Sequence, residues 1–159
     1  MFLRILLALD SGDAGSVATS FTVALAQHSR ASVHVVHVNK HLIGGRGLMS
    51  ESPAEAADVV AAALQELHSA GLSATGVTYR TTRFDLPSVV CDLAERVRAD
   101  VIVLGSRRRR RHGIPRGGLR DRIARRTPLP VVTAPAPLRV ARHDRTFADA
   151  LPPDISVRS

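Results

Sequence analysis

Residues 99–106 read Ala-Asp-Val-Ile-Val-Leu-Gly-Ser, and the unbroken apolar run Val101-Ile102-Val103-Leu104 within them is the feature that most constrains the fold. A run without polar alternation has no face to offer water, so it reads as a parallel strand covered on both sides. The run ends in Gly105-Ser106, passes through five arginines (Arg107 to Arg111) and Gly113, and reaches Gly117-Gly118 ahead of a helical stretch. A parallel strand that delivers a glycine-bearing loop to a helix N-terminus is where α/β proteins bind phosphate. The arginines pull against that reading, because a phosphate cradle is usually built from closely approaching backbone N–H groups on small residues.

Four further strand-like runs accompany this one, at Leu3–Leu9, Ser32–Val38, Ser73–Arg80 and Leu129–Ala134, with the opening run placed at Asp100–Leu104. Helical periodicity fills the intervals. Val17, Phe21 and Leu25 mark a helix over about Gly12–His28, capped by Ser11 or Asp13. Ser52-Pro53 opens a second at Pro53–Ala70, which Gly71 stops. The third runs from Asp85 or Leu86 to about Ala99, and the fourth over roughly Gly118–Arg126. Strict alternation of strand and helix predicts a single-domain α/β fold, an open parallel sheet with helices on both faces.

Two segments fall outside the alternation. His41–Ser52, with Gly44-Gly45 and Gly47, reads as a mobile loop, either a lid over a ligand or plain surface slack. Residues 136–159 are polar and bounded by prolines, with too few apolar side chains to found a second domain. They read as a tail that docks through Phe147 and Leu151 or stays disordered. The α/β domain is therefore assigned to residues 1–135.

Length and composition narrow the functional classes. A chain of 159 residues that is 45% hydrophobic fits one domain with a real core. No apolar stretch approaches the roughly 20 residues needed to span a bilayer. Phe2 to Leu9 runs into Asp10 rather than into a small-residue cleavage site, so the expected location is cytoplasmic. Cys91, the single cysteine, reads as a buried packing residue. His34, His68, His112 and His143 show no ligand spacing with Cys or acidic partners, so no metal site is expected. His37, between Val36 and Val38, reads as a satisfied core or sheet-end histidine.

Net charge is +8, with Lys40 the only lysine. Ten arginines against one acid, Asp121, lie between Gly105 and Arg126, which concentrates positive potential on one loop and the helix after it. Nucleic acid is a poor fit as the partner: aromatics are 3% of the chain, and no stacking motif or recognition helix accompanies the arginines.

Taken in order, Leu7-Ala8-Leu9-Asp10, His37-Val38, residues 99–106 and Arg126-Thr-Pro-Leu-Pro-Val-Val132 resemble the universal stress protein family over residues 2–134. That resemblance implies a Rossmann-like (adenine nucleotide alpha hydrolase-like) sheet of order 3-2-1-4-5 and a cytoplasmic homodimer paired through the last strand, Leu129 to Ala134. It implies an unidentified protein partner, no membrane role and no catalytic residues, ATP hydrolysis being at most slow and incidental. In the family's ATP-binding branch, an acid after the first strand contacts the nucleoside and a backbone position at the end of the second contacts adenine. Asp10 and Val38 hold those places here, Asp10 having the competing role of a cap on the following helix.

The family's phosphate loop has the pattern Gly-x2-Gly-x9-Gly-(Ser/Thr). Gly105 fits its first position and Ser106 follows, but Arg108 stands where the second glycine belongs. Gly117 and Gly118 bracket the final pair without a Ser or Thr hydroxyl in either register. The resemblance thus implies ATP or another adenine nucleotide as ligand, with Mg if ATP. The alternative it leaves open is a nucleotide-free dimeric interaction module with a degenerate phosphate loop.

Overall fold

Ile5, Leu6 and Leu7 are each at most 2% exposed, which puts β1 (Arg4–Leu9) in the middle of a sheet rather than at its edge. Residues 1–9, 13–41, 51–82, 85–105 and 118–135 are described by a computed structural model. After β1 come α1 (Asp13–Ser29), β2 (Ser32–His41), α2 (Pro53–Ser69), β3 (Ala74–Thr82), α3 (Leu86–Arg96), β4 (Val101–Leu104), α4 (Leu119–Ala124) and β5 (Val131–Thr133). The five strands form one sheet of order β3-β2-β1-β4-β5 with every pairing parallel. This is the open sheet and the strand order that the sequence and its resemblance imply.

Side chains alternate between two cores. Ile5, Leu7, Leu9, Val33, Val35, Val101 and Val103 pack with Ala18, Val60, Ala63 and Leu67 of α1 and α2. On the opposite face Leu6, Val36, Val38, Ile102 and Leu104 pack with Leu86, Val90, Leu93 and Ile123 of α3 and α4. All four residues of β4 are buried, as its unbroken apolar run requires.

Local chemistry sets the ends of the elements. The Ser52 hydroxyl accepts from the Glu55 N–H while the Glu55 carboxylate accepts from the Ser52 N–H, a capping box that starts α2 with Pro53 in its first turn. Gly71 at φ 75° stops α2, and Arg30 (φ 55°) and Arg98 (φ 53°) occupy the same left-handed region after α1 and α3. Asp100 ties the entry of β4 to that of β1 by accepting from the N–H groups of Leu3 (2.7 Å) and Arg4 (2.8 Å).

Several boundaries move from their expected places. β2 runs three residues past Val38, because its pairing with β3 continues through Asn39–Arg80 to His41–Thr82. The expected loop at His41–Ser52 is shortened accordingly: His41 belongs to β2 and Ser52 is the cap of α2. α3 stops at Arg96 instead of near Ala99, and α4 is confined to six residues. β5 starts at Val131 rather than Leu129, since Pro130 has no N–H to donate, although its carbonyl accepts from Ile102 N–H (3.0 Å). The tail expected at 136–159 and the segment 42–50 lie outside the described residues.

Candidate functional site

The strand order reverses direction at β1: β2 and β3 extend to one side of it, β4 and β5 to the other. At such a switch point the connections leaving adjacent strand ends diverge, and the crevice between them is where open α/β sheets take ligands. The crevice lies beyond Leu9 of β1 and Leu104 of β4.

Val38 is placed to present its backbone there. The N–H of Ser32 donates to Leu3 O (2.9 Å) toward β1, and that of Val33 donates to Ser73 O (2.9 Å) toward β3. Backbone groups alternate along a strand with period two, so the polar groups of Val38 point toward β1. The β1–β2 register ends at Leu9–His37, so the Val38 carbonyl is directed past the end of β1. Val38 as a whole is 4% exposed, and its side chain packs into the core that holds Leu104 and Tyr79, so what it can offer the crevice is the direction of its carbonyl.

Across the switch point, Gly105 follows β4 and Gly118 caps α4 in an extended conformation (φ −60°, ψ 173°). A Cβ at Gly118 would have no atom within 4 Å, so open space lies beside it and no contact demands glycine. The Gly118 N–H donates to Asp121 Oδ2 at 3.2 Å, and Arg120 Nη1 lies 3.9 Å from Asp121 Oδ1. The protein's own carboxylate therefore sits on the donor that a phosphate would otherwise use. Arg126 reaches back from the end of α4 to Ser88 Oγ on α3 (3.0 Å). Asp10, Ser106, Arg108 and Gly117 fall outside the described residues, as do the remaining arginines of the 107–111 run.

One polar cluster at this end of the sheet is only half visible in the sequence. His37, 1% exposed, places Nδ1 3.2 Å from Leu9 O and Nε2 2.5 Å from Glu51 Oε2. Asn39 Nδ2 donates to Glu51 O at 2.7 Å. The ring is thus the satisfied core histidine anticipated from its neighbours. Its carboxylate partner went unanticipated, since no periodicity links position 51 to a strand 14 residues earlier. The available signal was the demand of a buried imidazole for partners at both nitrogens. Among the described residues no three His, Cys, Asp or Glu side chains converge as a metal site, and no helix is long and apolar enough to cross a membrane.

The profile of the universal stress protein family matches residues 1–135. No match to a curated protein is found. Among solved structures, a universal stress protein from Archaeoglobus fulgidus superposes with a TM-score of 0.66 at 23% identity, covering 85% of this chain and 100% of its own. A universal stress protein from the same organism in complex with dAMP gives 0.61 at 22% identity, covering 84% and 98%. A family protein from Arabidopsis thaliana with AMP bound gives 0.58 at 18% identity, covering 89% and 97%.

Proposed function

Since this chain belongs to the universal stress protein family, we propose that it is a cytoplasmic stress-response protein that binds an adenine nucleotide as a regulatory ligand at the carboxyl ends of β1 and β4. The observation that carries this reading is the Val38 carbonyl, directed past Leu9 toward the crevice while its side chain lies in the core. In this reading the Val38 backbone meets the adenine edge and Asp10 the nucleoside. Gly105, Ser106, Gly117 and Gly118 line the path of the phosphates. Arg108 supplies a guanidinium whose fork matches phosphate oxygens, and Mg accompanies the ligand if it is ATP. The solved relatives with dAMP and AMP support an adenine nucleotide as the ligand class.

A second reading has its own observation. The Asp121 carboxylate already holds the Gly118 N–H, and no Ser or Thr follows the glycine pair, so the start of α4 is poorly equipped for phosphate. Losing one hydroxyl hydrogen bond to a charged group weakens binding by roughly 1.5–3 kcal/mol, around ten- to a hundredfold. On this reading the protein is a nucleotide-free interaction module, dimeric through the outer edge of β5. Residues 131–133 there have β4 on one side and no strand on the other among the described residues.

Calorimetric titration of nucleotide-stripped protein with ATP, ADP and AMP, alongside Arg108→Gly and Asp10→Ala, decides between the two. The nucleotide reading requires saturable binding by the parent that Asp10→Ala weakens. No binding by the parent with recovery in Arg108→Gly transfers the assignment to the interaction module. A monomer by sedimentation at tens of micromolar (about the usual working range) overturns the dimer.

A further inference from the structure

The sheet ends on β3, which has β2 on one side and no strand on the other among the described residues. Val33 N–H donates to Ser73 O, so alternate residues counted from Ser73 turn their backbone groups toward β2, and those of Ala74, Gly76 and Thr78 turn outward. The Ala74 carbonyl is covered, because Nε2 of His68 on α2 lies 3.0 Å from it. Nothing among the described residues pairs with the N–H and carbonyl of Gly76 and Thr78. Between them Val77 is 44% exposed, on the face where its neighbour Val36 packs under α3. Edge strands are usually blunted by proline, lysine or a bulge. From Ala74 to Tyr79 this one carries no proline and no charge, and its register with β2 is unbroken.

We propose that the outer edge of β3 is a docking surface for a second copy of this chain, which pairs through its own β3, antiparallel about a twofold axis at Val77. Opposite residues of an antiparallel pair exchange both backbone bonds at every second position. With the axis at Val77, Gly76 meets the second copy's Thr78 and Thr78 meets its Gly76, so both open residues of each strand are satisfied at once. No other antiparallel register sets these two residues against each other. Val77 meets its own image on the axis, and each Tyr79 lies across from a Thr75. Arg80, the only charge in β3, lies across from Ala74 and roughly 20 Å from its image, so self-pairing opposes no like charges.

The layers on either side of the joined edge admit this approach. Thr78 comes to rest beside the bare backbone of Gly76, which already lies beneath Val60 and Leu64 of α2. Over the edge α2 and its image lie side by side. Ala57 and Ala61 are exposed and stand at helical spacing from Leu64 and His68, the residues that reach β3, so the flank facing the second copy is slim. A lone extended peptide gains only the strand, whereas a second copy adds the helix layer. An overlap of residues 74–80 at ~3.3 Å each, two layers of ~10 Å deep, gives a footprint of roughly 450 Å² per partner, below the ~800 Å² of a standard interface. The pair is therefore weak and reversible, and forms only in concentrated protein.

This surface is separate from the nucleotide crevice and from the outer edge of β5, and it rests on neither reading of the function. The test is disulfide trapping in the full chain carrying Cys91→Ala. Opposite residues without hydrogen bonds are the closest side-chain partners across an antiparallel ladder and approach the Cβ spacing of a disulfide. Val77→Cys should therefore be trapped as a linked pair on oxidation by copper phenanthroline. Thr75→Cys is exposed on the same face but ~13 Å from its image, and should link about tenfold more slowly, at the rate of random collision. Equal rates in the two overturn the proposal. Sedimentation of the chain with its native cysteine is the second readout. Average mass should keep rising above tens of micromolar, and Val77→Lys, which sets two ammonium groups against each other on the axis, should hold it flat. No rise, or a rise that Val77→Lys leaves unchanged, also overturns the proposal. Pairing through β5 survives in Val77→Lys, so the two edges are told apart.

Discussion

A Cβ added to Gly76, in the middle of β3, would stand 2.4 Å from Cγ1 of Val60 on α2. Real Cβ atoms do not approach that closely, and Leu64 Cδ1 at 3.2 Å closes the adjacent direction. Val60 is 6% exposed and β-branched, so in a helix it has one strongly preferred rotamer and no space into which to swing. Gly76→Ala should therefore push α2 away from the edge of the sheet and destabilise the protein by about 1–3 kcal/mol. Val60→Ala creates room at the same spot, so the double variant should be more stable than the sum of the single effects implies. Urea denaturation of the four proteins in a double-mutant cycle measures that coupling.

Arg30 and Arg98 end their helices in the left-handed region that Gly71 occupies after α2. A side chain there costs roughly 1–2 kcal/mol, of which the greater unfolded-state freedom of glycine takes back part. Arg30→Gly and Arg98→Gly should each stabilise the fold by on the order of 0.5–1 kcal/mol. Thermal unfolding at fixed salt checks both. A loss of stability in either variant would mean that the arginine side chain contributes more than its backbone conformation costs.

The sheet was legible in the sequence because the two signals it rests on are local. Val101 to Leu104 declare a doubly covered strand, and Ser52, Pro53 and Gly71 punctuate a helix by their own chemistry. Where the reading erred, a partner distant in sequence decided the outcome. Asn39 and Lys40 look like the polar end of a strand, yet β2 continues because β3 continues beside it, and Asn39 is buried because Glu51 supplies its acceptor. β5 lost its first two expected residues to the missing N–H of Pro130. At the candidate site Val38, Gly105 and Gly118 are expectations of the resemblance, while the Asp121 carboxylate on the Gly118 N–H comes from the structure. It follows from the three-residue spacing of a capping interaction, which becomes readable once the first residue of α4 is known.

The Asp100 carboxyl is held below its ordinary range by the N–H of Leu3 and then by that of Arg4, with a smaller contribution from the Arg4 charge. For an acid whose folded value is depressed, the stabilisation is present above the unfolded value of about 3.9. It is lost as pH falls through the folded one. Asp100→Ala should be less stable than the parent by on the order of 1 kcal/mol at neutral pH, a figure reduced for solvent screening at this exposed site. The gap between the two proteins should close on acidification below pH 4 (about the unfolded value). A gap that stays constant to the acid limit would show that the carboxylate charge is irrelevant to the N–H contacts.

His34 gives a slope of the same sign in a different window. Burial, and secondarily the Arg4 charge, push its imidazole below the ordinary histidine value of 6.5. Nδ1 lies 2.8 Å from Thr75 Oγ1 on the neighbouring strand. A base with a depressed folded value is more readily protonated when unfolded, so the fold loses stability as pH drops through 6.5 toward that lower value. His34→Gln, which keeps a polar partner for Thr75 and cannot charge, should flatten this part of the stability profile. Chemical denaturation of both proteins across neutral to mildly acidic pH measures the difference, and parallel curves would refute the assignment to His34.

Cys91 is 6% exposed on the inner face of α3, with Sγ 4.0 Å from the Ile123 carbonyl of α4. Burial raises its thiol above the ordinary range, against a lesser opposing pull from Arg126, so little thiolate exists near neutrality. Thiolate is the reactive form, and both scarcity and inaccessibility protect it here. Alkylation by an iodoacetamide reagent should therefore be slow in the native protein, follow the unfolding equilibrium as urea is added, and become complete once α3 leaves the sheet. Rapid native-state labelling would instead mean that α3 and α4 separate without global unfolding. Because Arg126 bridges these helices through Ser88, Arg126→Ala should move labelling in that direction, speeding it at urea concentrations too low to unfold the protein.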